Sequence, residues 1–566
     1  MTTTPSRPTI VVREELVALT DDALAALQQW AALDIYQRSR GLVQVARTET
    51  APKVRWLKRP AGGPVILALD VEAVLDRLDR AAWWVRPGRK GTVPARPPEW
   101  CARQILRGRL SWTFPPLTAV IETPTIRSDG TVLEAPGYDD ATGVLYLPNA
   151  EYPVVPEELP TAEAVAALLD PVCDVPFINQ SSSAAYVAAV LTLLARHAID
   201  GFVPGFPIRA PVASAGKGLL AKVIALIGTG REPAITTQAR DEDEWRKRLL
   251  SIALAGTPLI QLDNLSGTVG SDQLAAAFTA PEWSDRLLGA SRMVSAPLYT
   301  VWVLTGNNIT FAKTLARRMV PIDIDPQMEH PEDRTNFKYP DLPARVRAMR
   351  THLVVAALAL LRNYVRAGQP SHGKPPMGSF EAWDALIRGC VIWAGLGDPA
   401  STEDPSAGRG RIRSEGDDDL GALGALLAAL AESFHSELFA TAEAVKRAMN
   451  DAVLHTALEE AGAVDKDGHV TAKATGYVFR SAQDRIVGGL RLVSNRRDKH
   501  AKHRLWCIEP CGIAGDAGDA GDVQSPTYTG NGPKPIGNRL EVLPQSPALP
   551  AAEPEANSSL EDRYGI

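Results

Sequence analysis

Residues able to handle a phosphate group cluster between Pro207 and Asp325. The run Pro207-Ile-Arg-Ala-Pro-Val-Ala-Ser-Ala-Gly-Lys-Gly-Leu-Leu220 reads as a short buried strand, a tight loop and the start of an amphipathic helix. Backbone N–H groups at such a helix start face an anion, and a lysine adds a point charge. Ser214, Ala215, Gly216, Lys217, Gly218 and Leu219 would form this cradle, with Gly216 allowing close approach and Lys217 supplying the ammonium. The pattern G-x-x-x-x-G-K-[ST] is met only in part, because Pro211 stands at the first glycine and Gly218 at the hydroxyl position. A glycine-rich turn with a surface lysine is the alternative that the loop alone leaves open.

The downstream residues sharpen the reading. Thr257-Pro-Leu-Ile-Gln-Leu-Asp-Asn264 is an apolar strand ending in a carboxylate, and Asp263 is placed to hold Mg²⁺ directly or through water. Leu298-Tyr-Thr-Val-Trp-Val-Leu-Thr-Gly-Asn-Asn308 is a second apolar strand, ending in paired amides. Leu315-Ala-Arg-Arg318 and the strand Met319-Val-Pro-Ile-Asp-Ile324 follow. Lysine, carboxylate, amide and arginine in that order suit a nucleoside triphosphate. Lysine and metal screen the β and γ phosphates, Asn307 or Asn308 orients a water, and Arg317 or Arg318 neutralises transition-state charge. The plain alternative is a set of core strands with polar residues at their ends.

These residues need a scaffold. At 566 residues the chain has room for three to four domains of ~150 residues each. The net charge of -6 is close to neutral for this size, so any nucleic-acid contact must come from local basic patches. Cys101, Cys173, Cys390, Cys507 and Cys511 are scattered without zinc spacing, which fits free thiols in a reducing cytoplasm. The N-terminus lacks an apolar signal core, and no apolar run reaches the ~20 residues that a bilayer requires, so no membrane role is expected.

Taken in order, 1–8 reads as disordered, 9–181 as an α+β region, 182–330 as the phosphate-handling core, and 331–400 as a helical lid. The Ser/Gly/Asp/Arg-rich stretch 401–419 reads as a linker. Helices are expected over Asp21–Leu33, Asp70–Trp84, Thr161–Leu169 and Ser182–His197. Asp129, Asp139 and Asp140 lie in turn-rich sequence, where turns are preferred to a metal cluster. Asp285 to Pro297 reads as a hairpin bearing Arg286 and Arg292. Residues 420–510 form a further domain of helices and a basic hairpin. Arg480 and Arg485 lie on its last helix, with Arg496, Arg497, Lys499 and Lys502 at the wing. A winged helix contacting nucleic acid is favoured over a protein-docking module. Residues 511–566 read as a disordered acidic tail.

With the cradle, Asp263, Gly306-Asn-Asn308 and Arg317-Arg318 in place, the chain resembles the AAA+ ATPases. More narrowly it resembles the superfamily III-like or MCM-like replicative helicase and primase-helicase ATPases of phages, plasmids and integrative elements. Arg127-Ser-Asp-Gly130, Gly137-Tyr-Asp139, Thr142-Gly143, Gly378-Ser-Phe-Glu-Ala-Trp383 and Asp398-Pro399 extend the likeness over about Leu16 to Pro399. The resemblance implies an α/β fold: an AAA+ P-loop NTPase core with an α+β N-terminal region, a helical lid and a C-terminal winged helix. It implies ATP and Mg²⁺ as cofactors, with Lys217 on the β and γ phosphates, Asp263 with Mg²⁺, Asn307 or Asn308 as sensor, and Arg317 or Arg318 as a finger to the neighbouring subunit. It also implies a homo-oligomer, a hexamer, with single-stranded DNA gripped by the Arg292 hairpin in the ring and duplex DNA at the winged helix.

Two departures bear on activity. Gly218 lacks the hydroxyl that ligates Mg²⁺, and Asn264 replaces the acid that polarises water; Glu242 and Glu244 are unranked candidates for that acid. The implied function is an ATP-driven DNA helicase or translocase. The alternative is a nucleotide-binding, hydrolysis-poor initiator or helicase loader, and a small-molecule kinase stands third.

Overall fold

The protein is described here by a computed structural model covering residues 7–30, 34–39, 41–47, 56–107, 112–286, 293–404, 408–435, 437–465, 468–495 and 504–510, with the backbone alone at 413–420 and 495. The segments read as disordered therefore lie outside the described residues, apart from Arg7 and Pro8.

Residues between Ile10 and Phe114 build a core of their own. Its first helix spans Leu16–Gln29, starting five residues before the sequence expectation, and buries Leu19, Ala23, Ala26 and Leu27 on one face. Helix Val71–Ala81 is capped by Asp70, whose side chain accepts from the Ala73 amide at 2.8 Å. Further on, Asp129 accepts from the Thr131 amide and hydroxyl at 2.9 and 2.7 Å. Asp139 binds Arg127 at 2.8 Å and the Thr142 hydroxyl at 2.6 Å. Both are turn carboxylates. Among the described residues no cluster of three His, Cys, Asp or Glu could hold a metal.

The central sheet contains β1 (Phe206–Ala210), β2 (Ala234–Thr236), β3 (Leu259–Leu265), β6 (Val301–Asn307) and β7 (Ile322–Asp323). A hairpin of β4 (Glu282–Arg286) and β5 (Met293–Pro297) stands between β3 and β6 in sequence. The spatial order is β7-β1-β6-β3-β2, all parallel, with the short strand Leu57–Lys58 antiparallel at the β2 edge. β1 and β7 are wholly buried and β6 is buried up to Asn307, as expected for parallel strands covered on both faces. Arg209 on β1 and Asp323 on β7 make an ion pair at 2.7 Å with both side chains buried.

Helices α1 (Gln180–Leu194), α2 (Lys217–Thr229) and α6 (Leu342–Arg366) pack on one another, and α2 also packs on β1, β3 and β6. α1 is apolar nearly all round, which suits a helix enclosed in a core. Between them in sequence lie α3 (Glu242–Ala255), α4 (Asp272–Ala277) and α5 (Lys313–Ala316). The 331–400 segment does not keep a separate core. Leu353, Leu358, Phe380 and Trp383 belong to the same hydrophobic cluster as the sheet, and the Trp383 indole donates to Thr192 of α1 at 2.8 Å.

The expected linker 401–419 is corrected in its second half, which is the start of α7 (Gly408–Phe434). Tertiary contacts outweigh its loop-like composition: the Gly408 amide donates to Asp323 at 2.7 Å, and Ile412 is buried in the main core.

The C-terminal part adds β8 (Phe439–Ala440), α8 (Thr441–Ala448), α9 (Ala452–Glu460), α10 (Ala472–Ala482), β9 (Ile486–Val487), β10 (Leu490–Asn495) and β11 (Leu505–Pro510). Its sheet runs β8-β11-β10-β9, and Phe434, Phe439, Phe479 and Trp506 form a continuous aromatic core. The last helix ends at Ala482, so Arg485, expected on it, lies past its end. Gly488 and Gly489, both at positive φ, form the tight turn that makes Ile486–Val487 a strand instead. No helix among the described residues is long and apolar enough to cross a membrane.

Candidate phosphate-binding site

The connections of the sheet diverge at one gap. β1 leads through α2 across two strands to β2, whereas β6 leads through α5 past β1 to β7. Open α/β sheets bind ligands in the crevice outside the carboxyl ends of the strands at such a divergence. The loop after β1, the end of β3 and the end of β6 all meet that edge.

The loop after β1 holds the residues expected to form a cradle. Ser214 and Gly216 sit at φ of 57° and 91°, and α2 begins at Lys217 with no side chain capping it. Its first-turn N–H groups are thus free of a protein cap. A Cβ added at Gly216 or Gly218 would meet nothing within 4 Å, so the space over the loop is open. Lys217 folds back and donates from Nζ to the Val212 carbonyl at 2.8 Å. Its partial burial lowers the ammonium pKa from the ordinary lysine value.

Asp263 lies near the carboxyl end of β3, at the same edge of the sheet. Its Oδ1 accepts from the Thr305 hydroxyl at 2.6 Å and from Gln261 Nε2 at 3.0 Å. Thr305 lies on β6, the strand between β1 and β3, and its Cα partner on β1 is Ile208. Gln261 and Thr305 were not singled out from the sequence. Gln261 shares the face of Asp263 by the two-residue period of a strand, and both are polar breaks in apolar runs. That signal was available.

The paired amides divide. Asn308, at φ of 45°, donates from Nδ2 to the Pro211 carbonyl at 3.1 Å and from its backbone to the Ala210 carbonyl at 3.2 Å. Asn307 pairs with Ala210 in register and is exposed. Asn264 is exposed beside Asp263 at φ of 55°. Neither glutamate candidate is idle: Glu242 accepts from Ser271 and the Gln273 amide at 3.0 and 2.9 Å, and Glu244 pairs with Arg248 at 2.9 Å.

Arg317 and Arg318 do not converge on this cradle. The Arg318 carbonyl accepts from the Gly205 amide, at the amino end of β1, so about 17 Å of strand separates it from the loop. Arg317 is exposed, and burial together with neighbouring Arg317 lowers the Arg318 pKa. Arg286 ends β4, where Asp285 holds its backbone amide at 2.7 Å; Arg292 lies outside the described residues. In the C-terminal part, Arg480 lies over the Tyr477 ring at 4.6 Å, both are exposed, and Arg485 is half-buried. Arg496, Arg497, Lys499 and Lys502 lie outside the described residues.

A cleft of about 460 Å³ adjoins the cradle. Ser214, Gly216 and Leu219 form one side, and Pro176, Phe337 and Tyr339 part of the other.

No protein-family model matches the chain, and no curated protein matches it. Among solved structures, one titled as the apo A form of the NrS-1 C-terminal region matches at 11% identity, over 83% of this chain and 96% of that one, with a TM-score of 0.31. One titled "SCCmec type IV Cch - active helicase" matches at 12% identity, over 84% and 97%, also with a TM-score of 0.31. A JCV helicase structure matches at 13% identity, over 42% and 66%, with a TM-score of 0.20.

Proposed function

We propose that the chain binds a nucleoside triphosphate with Mg²⁺ and couples it to work on DNA, as a helicase or translocase of a mobile genetic element. The observation that supports the nucleotide reading is that the uncapped helix start bearing Lys217 follows β1 while Asp263 lies near the carboxyl end of β3, the two parallel strands being separated by β6 alone. The triphosphate brings the hydrolysable bond and its magnesium brings charge screening. Lys217 exchanges the Val212 carbonyl for phosphate oxygens, and the N–H groups of the loop and first turn of α2 hold the rest. Asp263 offers Oδ2, which carries no hydrogen bond among the described residues, while Thr305 and Gln261 fix the carboxylate through Oδ1. Asp263, together with phosphate oxygens and water, would hold Mg²⁺, to which Gly218 adds no ligand. The apolar cleft beside Leu219 receives the base. Asn307, exposed at the end of β6, is the amide left to orient a water.

Arg318 stands too far from its own cradle to serve it, which supports a role in a neighbouring copy within a ring, a hexamer in the proposed form. The exposed Tyr477–Arg480 pair on α10 supports nucleic-acid contact by a winged helix, through stacking and phosphate binding. A second reading rests on Asn264 and on Glu242 and Glu244, which are both engaged elsewhere: with neither free to polarise a water, the chain would bind nucleotide but hydrolyse it slowly, as an initiator or loader does.

DNA-stimulated ATP hydrolysis, with Lys217→Ala as control, separates these. Stimulated turnover lost in the variant supports the motor. Equally poor turnover in both, with nucleotide and DNA binding retained by the native chain, supports the initiator. Absence of nucleotide binding removes both.

A further inference from the structure

A second cavity, of about 120 Å³, opens at the other end of the sheet. Its walls include Pro233 and Ala234 at the amino end of β2, Pro258 and Leu259 at that of β3, and Tyr299 just before β6. The ends of α1 and α2 and the segments around Pro64 and Glu122 close it. It is therefore separate from the cradle, which lies past the carboxyl ends of the strands.

Most of the lining is apolar, with Ile66, Val120, Leu194, Ala225 and Leu259 among it. The charges are uneven. Arg231 and Glu122 neutralise each other through two contacts at 2.6 and 2.8 Å. Glu232 is drawn to Lys222 and Arg347 at 3.0 and 3.3 Å. Arg196 and Arg59 remain, and no carboxylate pairs with either among the described residues. Arg196 is 5% exposed, lies over the Tyr299 ring at 4.8 Å, and donates one bond, to the Ile199 carbonyl at 3.4 Å. Its Nε is buried with no partner, as are Arg59 Nε and His197 Nδ1. Burial pulls the Arg196 guanidinium down to about 10. Arg38 stands close enough to His197 to act on its charge; it donates to the carbonyls of Ala253, Leu254 and Pro297, while its Nε is buried without a partner.

A buried guanidinium without an anion is costly, and removing it for an apolar side chain would be the cheaper way to fill a core. An apolar hollow with unmet N–H donors has the make-up of a ligand pocket. Its volume is a little below that of an engineered cavity of about 150 Å³ that takes up benzene. We propose that this cavity is a binding site for a small organic anion, with a carboxylate or phosphate head against Arg196 and Arg59 and a ring-sized apolar body among the aliphatic residues. This site is independent of the nucleotide reading, because none of its residues belongs to the cradle.

The test is calorimetric titration of the full chain with benzoate, phenyl phosphate, benzyl alcohol and inorganic phosphate. At least one of the two aryl anions is expected to bind with unit stoichiometry, at least about tenfold tighter than benzyl alcohol or inorganic phosphate. The better of the two identifies the head group. Arg196→Met is expected to weaken that binding at least about tenfold, and Arg59→Gln, at a partly exposed position, to weaken it with little risk to folding. Lys217→Ala is expected to leave it unchanged, which sets it apart from binding in the cradle. No saturable binding of either aryl anion by the folded native chain at millimolar concentration overturns the proposal. So does equal binding by the native chain, by Arg59→Gln and by any folded Arg196→Met, or loss of binding in Lys217→Ala.

Discussion

Asn308 bonds to the first residue of the cradle loop: its Nδ2 donates to the Pro211 carbonyl at 3.1 Å. One of the two adjacent amides at the end of β6 is therefore committed to loop shape, and the other, Asn307, is exposed. The two substitutions should part in their effects. Asn308→Ala should weaken nucleotide binding about tenfold, the size of one lost hydrogen bond to a buried or ordered group. Asn307→Ala should leave binding within about twofold and lower turnover. Equilibrium nucleotide titration beside steady-state hydrolysis separates them; equal effects of both variants on binding would remove this division of roles.

Asp263 depends on Thr305, which is buried and donates to it at 2.6 Å. Thr305→Val keeps the shape and deletes the donor. The expected cost is about 1–3 kcal/mol in stability, with weaker Mg²⁺-dependent nucleotide binding. Thr305→Ser should recover most of both. If Val and Ser behave alike in magnesium titrations of the nucleotide complex, Thr305 serves packing alone.

The Arg209–Asp323 pair locks β1 to β7 inside the sheet. Arg209→Met leaves a buried carboxylate that still accepts from the Gly408 amide, and should cost about 3–5 kcal/mol in urea unfolding. The double variant Arg209→Met/Asp323→Leu should recover much of that loss. A loss under about 1 kcal/mol in the single variant would mean that water reaches the carboxylate.

His197 gives a pH signature. Burial first, and then Arg196 and Arg38, push its pKa down to about 3. The folded protein therefore refuses a proton that the unfolded chain accepts below the ordinary imidazole value of ~6.5. Stability attributable to this group is present above ~6.5 and is lost as pH falls toward about 3. His197→Gln should flatten the rise of unfolding free energy between pH 4 and 7. Parallel curves for the two proteins would place the imidazole in contact with solvent.

Much of the core was legible because its signals are local. A buried strand, a loop with Gly216-Lys217 and an amphipathic helix follow from residue type and spacing, as do the strand that carries Asp263 and the one that ends at Asn307. The partners of those residues were less accessible. Thr305 meets Asp263 only because β6 inserts between β1 and β3, which is a fact of strand order and not of spacing. The Gly408 helix was hidden for a similar reason: its composition is that of a loop, and it is held by Asp323 from a distant strand. Asn308 and Asn307 look equivalent in sequence, and only the left-handed backbone at Asn308 turns one amide back onto the loop. That Arg196 has no carboxylate partner among the described residues could not be foreseen, since an absent counter-ion leaves no trace in a single sequence.

Calorimetric titration of the native chain and Lys217→Ala with a nonhydrolysable ATP analogue, with and without Mg²⁺, bears most directly on the cradle. The native chain should bind one equivalent, tighter with Mg²⁺, and Lys217→Ala should bind at least about tenfold more weakly, the scale of a charge-assisted hydrogen bond. Equal affinity in both proteins, or no dependence on Mg²⁺, would contradict the joint role of Lys217 and Asp263.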